Sequence, residues 1–366
     1  MKHILYIGGF EMPNKNAAAQ RVLSIAKALR EGGYDTLFYG ITKSEDYVGC
    51  VDGFNYEAYP YPKNILEWIS YAKGDKIIEF IKSKHIDYVF TYNYPAIAQE
   101  RVIKYCRKHK IKVVGDITEW YMHSNLFKKI DTYLRMKWSN KHLDGIISIS
   151  SYLSSYYKKY NTLQIPPLVD TEDSKWKMPY CDRKTDKIKL IYAGQPGYSK
   201  DRLDFIINAL SSFSNDRLIF NVVGITYEQY INIFGENKKI HELPIVFHGR
   251  IAHDDAIKML MESDFQIFFR PYLRVNNAGF PTKFVESITA GVPVIMNRIS
   301  NVDDYLKDGI NGIMVKSPEE PDICKALKRV SELTRSEVDF MKRNCDRYQF
   351  DFHKYSSKIC SFIDAL

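Results

Sequence analysis

Between Phe268 and Asn297 the chain reads FFRPYLRVNNAGFPTKFVESITAGVPVIMN. An apolar run passes into a polar, glycine-containing loop. Pro281 then opens a helix, and Gly291 closes it before a short apolar strand. A helix start of this kind offers free backbone N–H groups and the positive end of the helix dipole, which suits a diphosphate. Gly279, Phe280, Pro281 and Thr282 lead into that start. Glu286 falls in the second turn, where a carboxylate can accept two hydrogen bonds from ribose hydroxyls. Lys283 lies one turn earlier on a similar face. An ordinary strand–helix crossover with a capped helix would show the same pattern.

A second stretch, YAGQPGYSKDRLDFIINAL, places Gly194 and Gln195 after a strand and Lys200 at the start of a helix expected from about Asp201 to Ser212. The dipole mildly disfavours a cation there, which favours a phosphate role for Lys200 over a merely solvated lysine. Arg270 follows another apolar strand and is a second cation for the same purpose. Near the N-terminus Gly8 and Gly9 end a strand, with Arg21 on the next helix. In VVGDITEWYMHSN a buried strand ends at Asp116, followed by Glu119, Trp120 and His123. Asp116 and Glu119 are candidate site residues at this strand end, His123 a third, and a helix-capping aspartate with exposed neighbours is the plain alternative.

These groups need strands that all end on one side. KHILYIG, YDTLFYG, DYVFTY, KVVGD and DGIISIS alternate with helices, the first carrying Val22, Ile25, Ala26 and Leu29 at helical spacing before Gly32-Gly33. Further helices are expected around Leu66–Lys82, from Ala96 to His109, from Leu126 to His142 and from Ser151. Pro166 to about Lys187 breaks the rhythm with proline and charge. It restarts with IKLIYAG, LIFNVVG, IVFHG, FQIFF and VPVIM. A helix is expected from His253 to Ser263, and Ser317-Pro318-Glu319-Glu320 reads as a capping box with proline at the first helical position. The fold class is therefore α/β, with two Rossmann-like doubly wound parallel sheets facing a cleft and ligands beyond the carboxyl ends of the strands. The boundaries fall at 1–168 for a first domain, 169–187 for a linker and 188–349 for a second domain, with a C-terminal helix at about 350–366 returning to the first.

The 268–297 stretch resembles the donor signature of the retaining GT-B glycosyltransferases of family four, the glycosyl transferases group 1. Gly279-Phe280-Pro281, Glu286 and Ala290-Gly291-Val292-Pro293-Val294-Ile295 carry the resemblance. Gly194 and Lys200 match the family's phosphate-holding turn. Ser148-Ile149-Ser150, Ile165-Pro166-Pro167-Leu168-Val169-Asp170 and Asp264 are weaker matches, and together these run from about residue 3 to 316. Two positions depart. Ala278 stands where the family has a glutamate that contacts the donor sugar, and Gln195 replaces an arginine. Asn276 or Asn277 are substitutes at the sugar, Arg270 or Lys283 at the phosphates. The resemblance implies transfer from a nucleotide-sugar to a glycan or lipid-linked acceptor with retention, in surface polysaccharide synthesis. The leaving diphosphate itself deprotonates the acceptor hydroxyl, and Lys200, Arg270, Lys283 and the helix start at Phe280–Thr282 stabilise its charge. The Gly9 loop would face donor and acceptor. A non-catalytic partner subunit, motivated by Ala278 and Gln195, and a nucleotide-sugar 2-epimerase are the competing readings.

The 366 residues suit two domains, and 45% hydrophobic with 26% charged residues is a globular balance. Six scattered cysteines without metal spacing point to a reduced, cytoplasmic protein. The motifs indicate no metal and no cofactor beyond the nucleotide-sugar co-substrate. The net charge of +8 brings no nucleic-acid module with it. In NLFKKIDTYLRMKWSNKH, Leu126, Phe127, Ile130, Tyr133, Leu134 and Trp138 recur among basic residues. The favoured expectation packs this apolar stripe on the sheet. The alternative lays it on the membrane's inner face.

Overall fold

The computed structural model describes residues 2–13, 16–44, 47–177, 185–213, 216–237 and 239–366. It divides into two compact units, one of residues 1–169, 278–280 and 351–366, the other of residues 170–277 and 281–350.

The first unit holds eight strands: β1 Lys2–Gly8, β2 Tyr34–Thr42, β3 Val48–Val51, β4 Phe54–Pro60, β5 Tyr88–Tyr92, β6 Lys112–Ile117, β7 Gly145–Ser148 and β8 Thr162–Gln164. Their order is β3-β4-β2-β1-β5-β6-β7-β8. Every pairing is parallel except β3 with β4. β1 shows why the sheet is covered on both faces. Ile4 and Tyr6 join one buried cluster with Phe38 and Phe90, while Leu5 and Ile7 join another with Val89 and Val113. Alternate residues point to opposite faces, so a strand apolar at every position is one with helices on both sides. Each such fully buried side chain contributes about 1.5–3 kcal/mol.

The helix Ala17–Glu31 buries Val22, Ile25, Ala26 and Leu29, and Asn16 caps its start by accepting from Ala19 N at 2.8 Å. The last helix, His353–Asp364, lies against it. Ser356 Oγ donates to Ala28 O at 2.6 Å, and a side chain at Gly32 would collide with Cys360.

The second unit holds β9 Ile188–Ala193, β10 Leu218–Val223, β11 Ile245–Gly249, β12 Phe265–Ile267, β13 Val294–Asn297 and β14 Gly312–Val315. All pair in parallel, in the order β11-β10-β9-β12-β13-β14. The strand order reverses between β9 and β12, and a crevice for ligands opens at such a reversal.

Several elements differ from the sequence expectations. The single helix around 66–82 is two, Ile65–Lys73 and Asp75–Ser83, broken at Gly74 with φ +71°. The basic helix ends at Lys137, and a 3-10 turn carries the chain through Ser139–His142. Its apolar stripe does not pack on the sheet: Leu126, Phe127, Ile130 and Tyr133 are exposed. The helix expected from Asp201 begins at Leu203. The expected capping box is displaced, because the helix Glu320–Glu332 carries Pro321 in its first turn and Ser317 Oγ donates to Asp322 instead. β3, β4, β8 and the helix Tyr227–Phe234 were not anticipated. Part of the expected linker, residues 178–184 including Cys181, lies outside the described residues. The other five cysteines are free. Among the described residues no helix is long and apolar enough to cross a membrane.

Candidate active site

In the second unit the site forms where β9, β12 and β13 end. β9 runs out at Gly194, whose φ of +144° suits glycine alone. The Lys283 side chain lies directly over it, so that a Cβ at position 194 would overlap Lys283 Cε and Nζ. The turn Gly197–Asp201 follows, closed by Gly197 N donating to Asp201 O at 3.0 Å and Lys200 N to Gly197 O at 3.1 Å. Arg202 N then donates to Phe269 O at 2.9 Å, tying the turn to the chain leaving β12. These bonds drive the Asp201 side chain inward, where it is 1% exposed.

Asp201 meets two cations there. Arg270 Nε donates to its Oδ1 at 2.7 Å, and Lys283 Nζ lies 2.7 Å from its Oδ2. Tyr192 OH donates to Oδ2 at 3.3 Å. Asn297, at the end of β13, brackets the Arg270 backbone, accepting from its N–H and donating to its C=O, both at 2.9 Å. Burial alone would raise the Asp201 pKa, but Arg270 and Lys283 outweigh it and hold the carboxyl well below the usual range. Two cations against one carboxylate leave the cluster positive, with Arg270 and Lys283 each retaining some exposure. A buried charge is tolerated only when paired and hydrogen-bonded, and this one has three partners.

Lys283 and Glu286 lie on the helix Thr282–Thr289, with Pro281 at its N-cap and Gly291, φ +72°, just beyond its end. Burial raises the Glu286 pKa above its ordinary value, partly offset by His253, Lys283 and Lys175. Lys200 and Gln195 are exposed on the turn after β9. The asparagines put forward for the sugar are engaged otherwise. Asn276 is buried and its Nδ2 donates to Ser199 O and Pro271 O, while Asn277 Oδ1 accepts from Ser300 N. Asp264 is likewise internal, accepting from Lys189 N and Arg335. Ala278, Gly279 and Phe280 are buried and group with the first unit, where Ser150 Oγ donates to Ala278 O at 2.7 Å.

In the first unit the structure corrects the reading of Asp116. It is fully buried, not presented at the strand end. Arg21 Nη2 donates to its Oδ1 at 2.7 Å, Tyr6 OH donates to its Oδ2 at 2.6 Å, and Arg21 Nη1 reaches Ile165 O and Pro166 O. This is an interior ion pair joining β1, β6 and the chain after β8. Glu119 is partly exposed beside Tyr121. Burial, then Lys128 and Arg135, lower the His123 pKa. Gly9 is exposed, with no atom near where a Cβ would stand.

Asp201, Tyr192 and Asn297 were not among the predicted site residues. Asp201 directly follows Lys200, and its assignment to a helix start hid it. Among the described residues no cluster of three metal-ligating side chains occurs.

The second unit is thus a doubly wound parallel α/β domain with a cationic cluster at its strand reversal. Residues 187–332 match the family model for glycosyl transferases group 1. The chain as a whole has the GT-B fold. It is similar to Anabaena HepE in complex with UDP-glucose, with 14% identity, TM-score 0.73 and full coverage of both chains. The lipopolysaccharide outer core galactosyltransferase WaaB matches with 14% identity and TM-score 0.67 over 99% of each chain. In sequence it is 19% identical over 270 residues to an uncharacterised 41.2 kDa protein in the cps region of Klebsiella pneumoniae, covering 70% of this chain and 68% of that one.

Proposed function

We propose that the protein transfers a sugar from a nucleoside-diphosphate sugar to a glycan or lipid-linked acceptor, with retention of anomeric configuration, in the cytoplasm and in the service of surface polysaccharide synthesis. The observation that carries this reading is the convergence of Arg270 and Lys283 on Asp201 beside Gly194. It is a net positive cluster at the carboxyl ends of β9 and β12. A diphosphate entering it finds two cations already oriented, so little reorganisation is needed as charge builds on the leaving group. Lys200, exposed on the adjoining turn, adds a third. Glu286, three residues beyond Lys283, takes the ribose. The donor sugar is held without the family's first glutamate, since Ala278 offers only a methyl group. The leaving diphosphate accepts the acceptor's proton, which retains configuration without a protein nucleophile. HepE's complex with UDP-glucose supports a uridine donor, and the cps-region relative supports the polysaccharide role.

The test is product analysis. Purified protein is incubated with UDP-, GDP- and ADP-sugars and candidate acceptors, and the anomeric configuration of the product is read by NMR. Transfer with inversion would contradict the mechanism, and absence of transfer or donor hydrolysis with every donor would favour a non-catalytic subunit.

A further inference from the structure

The helices Ile65–Lys73 and Leu126–Lys137 of the first unit both pack against the helix Ala96–Lys108. Asp131 accepts from Ala96 N at 2.8 Å, and Lys128 Nζ sits 5.5 Å from the Trp68 ring centre, linking the two. Leu126–Lys137 turns its apolar side outward, and Ile65–Lys73 is apolar on both sides, with Tyr71 packed on the core and Ile65 and Leu66 facing out. In Leu126–Lys137 the buried residues are Thr132, Arg135 and Met136. The stripe on the other side is apolar, with Leu126 65%, Phe127 74% and Tyr133 62% exposed. Helix Ile65–Lys73 buries no residue at all, and its Ile65 and Leu66 are 66% and 76% exposed. A surface helix ordinarily does the reverse, and a contiguous exposed apolar face marks an interaction site.

We propose that these two outward faces together dock the protein on an anionic lipid bilayer. Charge decides the occupant. Lys63, Lys73, Lys128, Lys129 and Lys137 stand exposed around the apolar residues. The two acids on these helices are committed to backbone capping. Glu67 accepts from Lys63 N and Asn64 Nδ2, both at 2.7 Å, and Asp131 caps Ala96. Both carboxylates keep their charge, and the exposed lysines outnumber them, so the rim is net positive. A second copy of the chain would bring lysine against lysine, whereas anionic headgroups meet the rim while Leu66 and Phe127 enter the acyl boundary. The inference is independent of the transfer reading, because none of these residues belongs to the cluster in the second unit.

Co-sedimentation with vesicles of phosphatidylcholine alone and of phosphatidylcholine with phosphatidylglycerol tests it. The full chain is expected to sediment with the anionic vesicles at low salt and to be released by high salt. Both Leu66→Ser/Phe127→Ser and Lys128→Glu/Lys129→Glu should weaken partition by at least about 10-fold. All four positions are exposed, and unchanged circular dichroism and nucleotide thermal shift would show the variants intact. Equal sedimentation of wild type and both variants, or none with anionic vesicles, would overturn the proposal. So would a dimer in sedimentation velocity that Leu66→Ser/Phe127→Ser dissolves, since the face would then belong to a second copy.

Discussion

Lys283 Nζ lies 2.7 Å from Asp201 Oδ2, and the same lysine covers Gly194 at the end of β9. An aspartate at the end of a five-residue turn thus fixes a lysine eighty-two positions later. With Arg270 on its other oxygen, Asp201 sets where both cations point.

The first prediction concerns that hold. Asp201→Asn removes the charge between two nearly buried cations and should cost about 3 kcal/mol or more in urea unfolding at neutral pH. The sign of its pH dependence follows. The folded-state value lies below the ordinary aspartate value of 3.8, so the stabilisation is full above that value and is lost as pH falls beneath it. The wild-type unfolding midpoint should fall more steeply below about pH 4 than that of Asp201→Asn. Parallel curves would mean that Asp201 does not bear the charge assigned to it.

Lys200 stands differently, exposed on the turn. With donor bound it is expected to face the diphosphate, so Lys200→Ala should lower turnover by about 10²-fold. A variant with normal turnover removes Lys200 from the phosphate site.

How far the sequence reached can be judged at these residues. The apolar runs of β1 and β9 announce strands buried on both faces, and Gly291 marks a helix end, because each is a local constraint. β3, β4 and β8 are too short and mixed to announce themselves, and at Gly74 a left-handed residue splits a helix whose periodicity runs on. Periodicity also located the apolar stripe at Leu126–Tyr133 but not which side of the helix meets the protein, a matter of packing alone. Arg270 and Lys283 could be named from the strand and helix that present them. Asp201 could not, since its role depends on contacts with partners 69 and 82 positions away.

Glu286 should make nucleotide binding sensitive to pH. Its pKa is raised, so protonation sets in above the ordinary 4.5 as pH falls. If the ionised carboxylate accepts the ribose hydroxyls, nucleotide affinity must fall as pH drops through the raised Glu286 value, and Glu286→Gln must bind more weakly above it with a flatter profile. For the empty protein the sign is opposite: stability gained from a raised carboxyl is present at low pH and lost as pH rises through the folded value. Calorimetric titrations with UDP at several pH values check both curves. Coincident curves for the two proteins would remove Glu286 from the ribose.

Transfer should persist in EDTA, because Arg270, Lys283 and Lys200 take the charge-neutralising part that a divalent ion plays elsewhere. The check is the initial rate of nucleotide release with and without chelator. Activity lost in EDTA and restored by magnesium or manganese would show that a metal shares the diphosphate.

The central claim is that the Arg270–Lys283 cluster beside Gly194 binds the diphosphate of a nucleotide, and isothermal titration of the wild type and Lys283→Ala with UDP, GDP and ADP tests it most directly. The account predicts saturable binding of one of these nucleotides to the wild type, weakened at least about 10-fold in a folded Lys283→Ala, as loss of a charged hydrogen bond requires. Binding of none of the three, or equal affinity in wild type and Lys283→Ala, would contradict it.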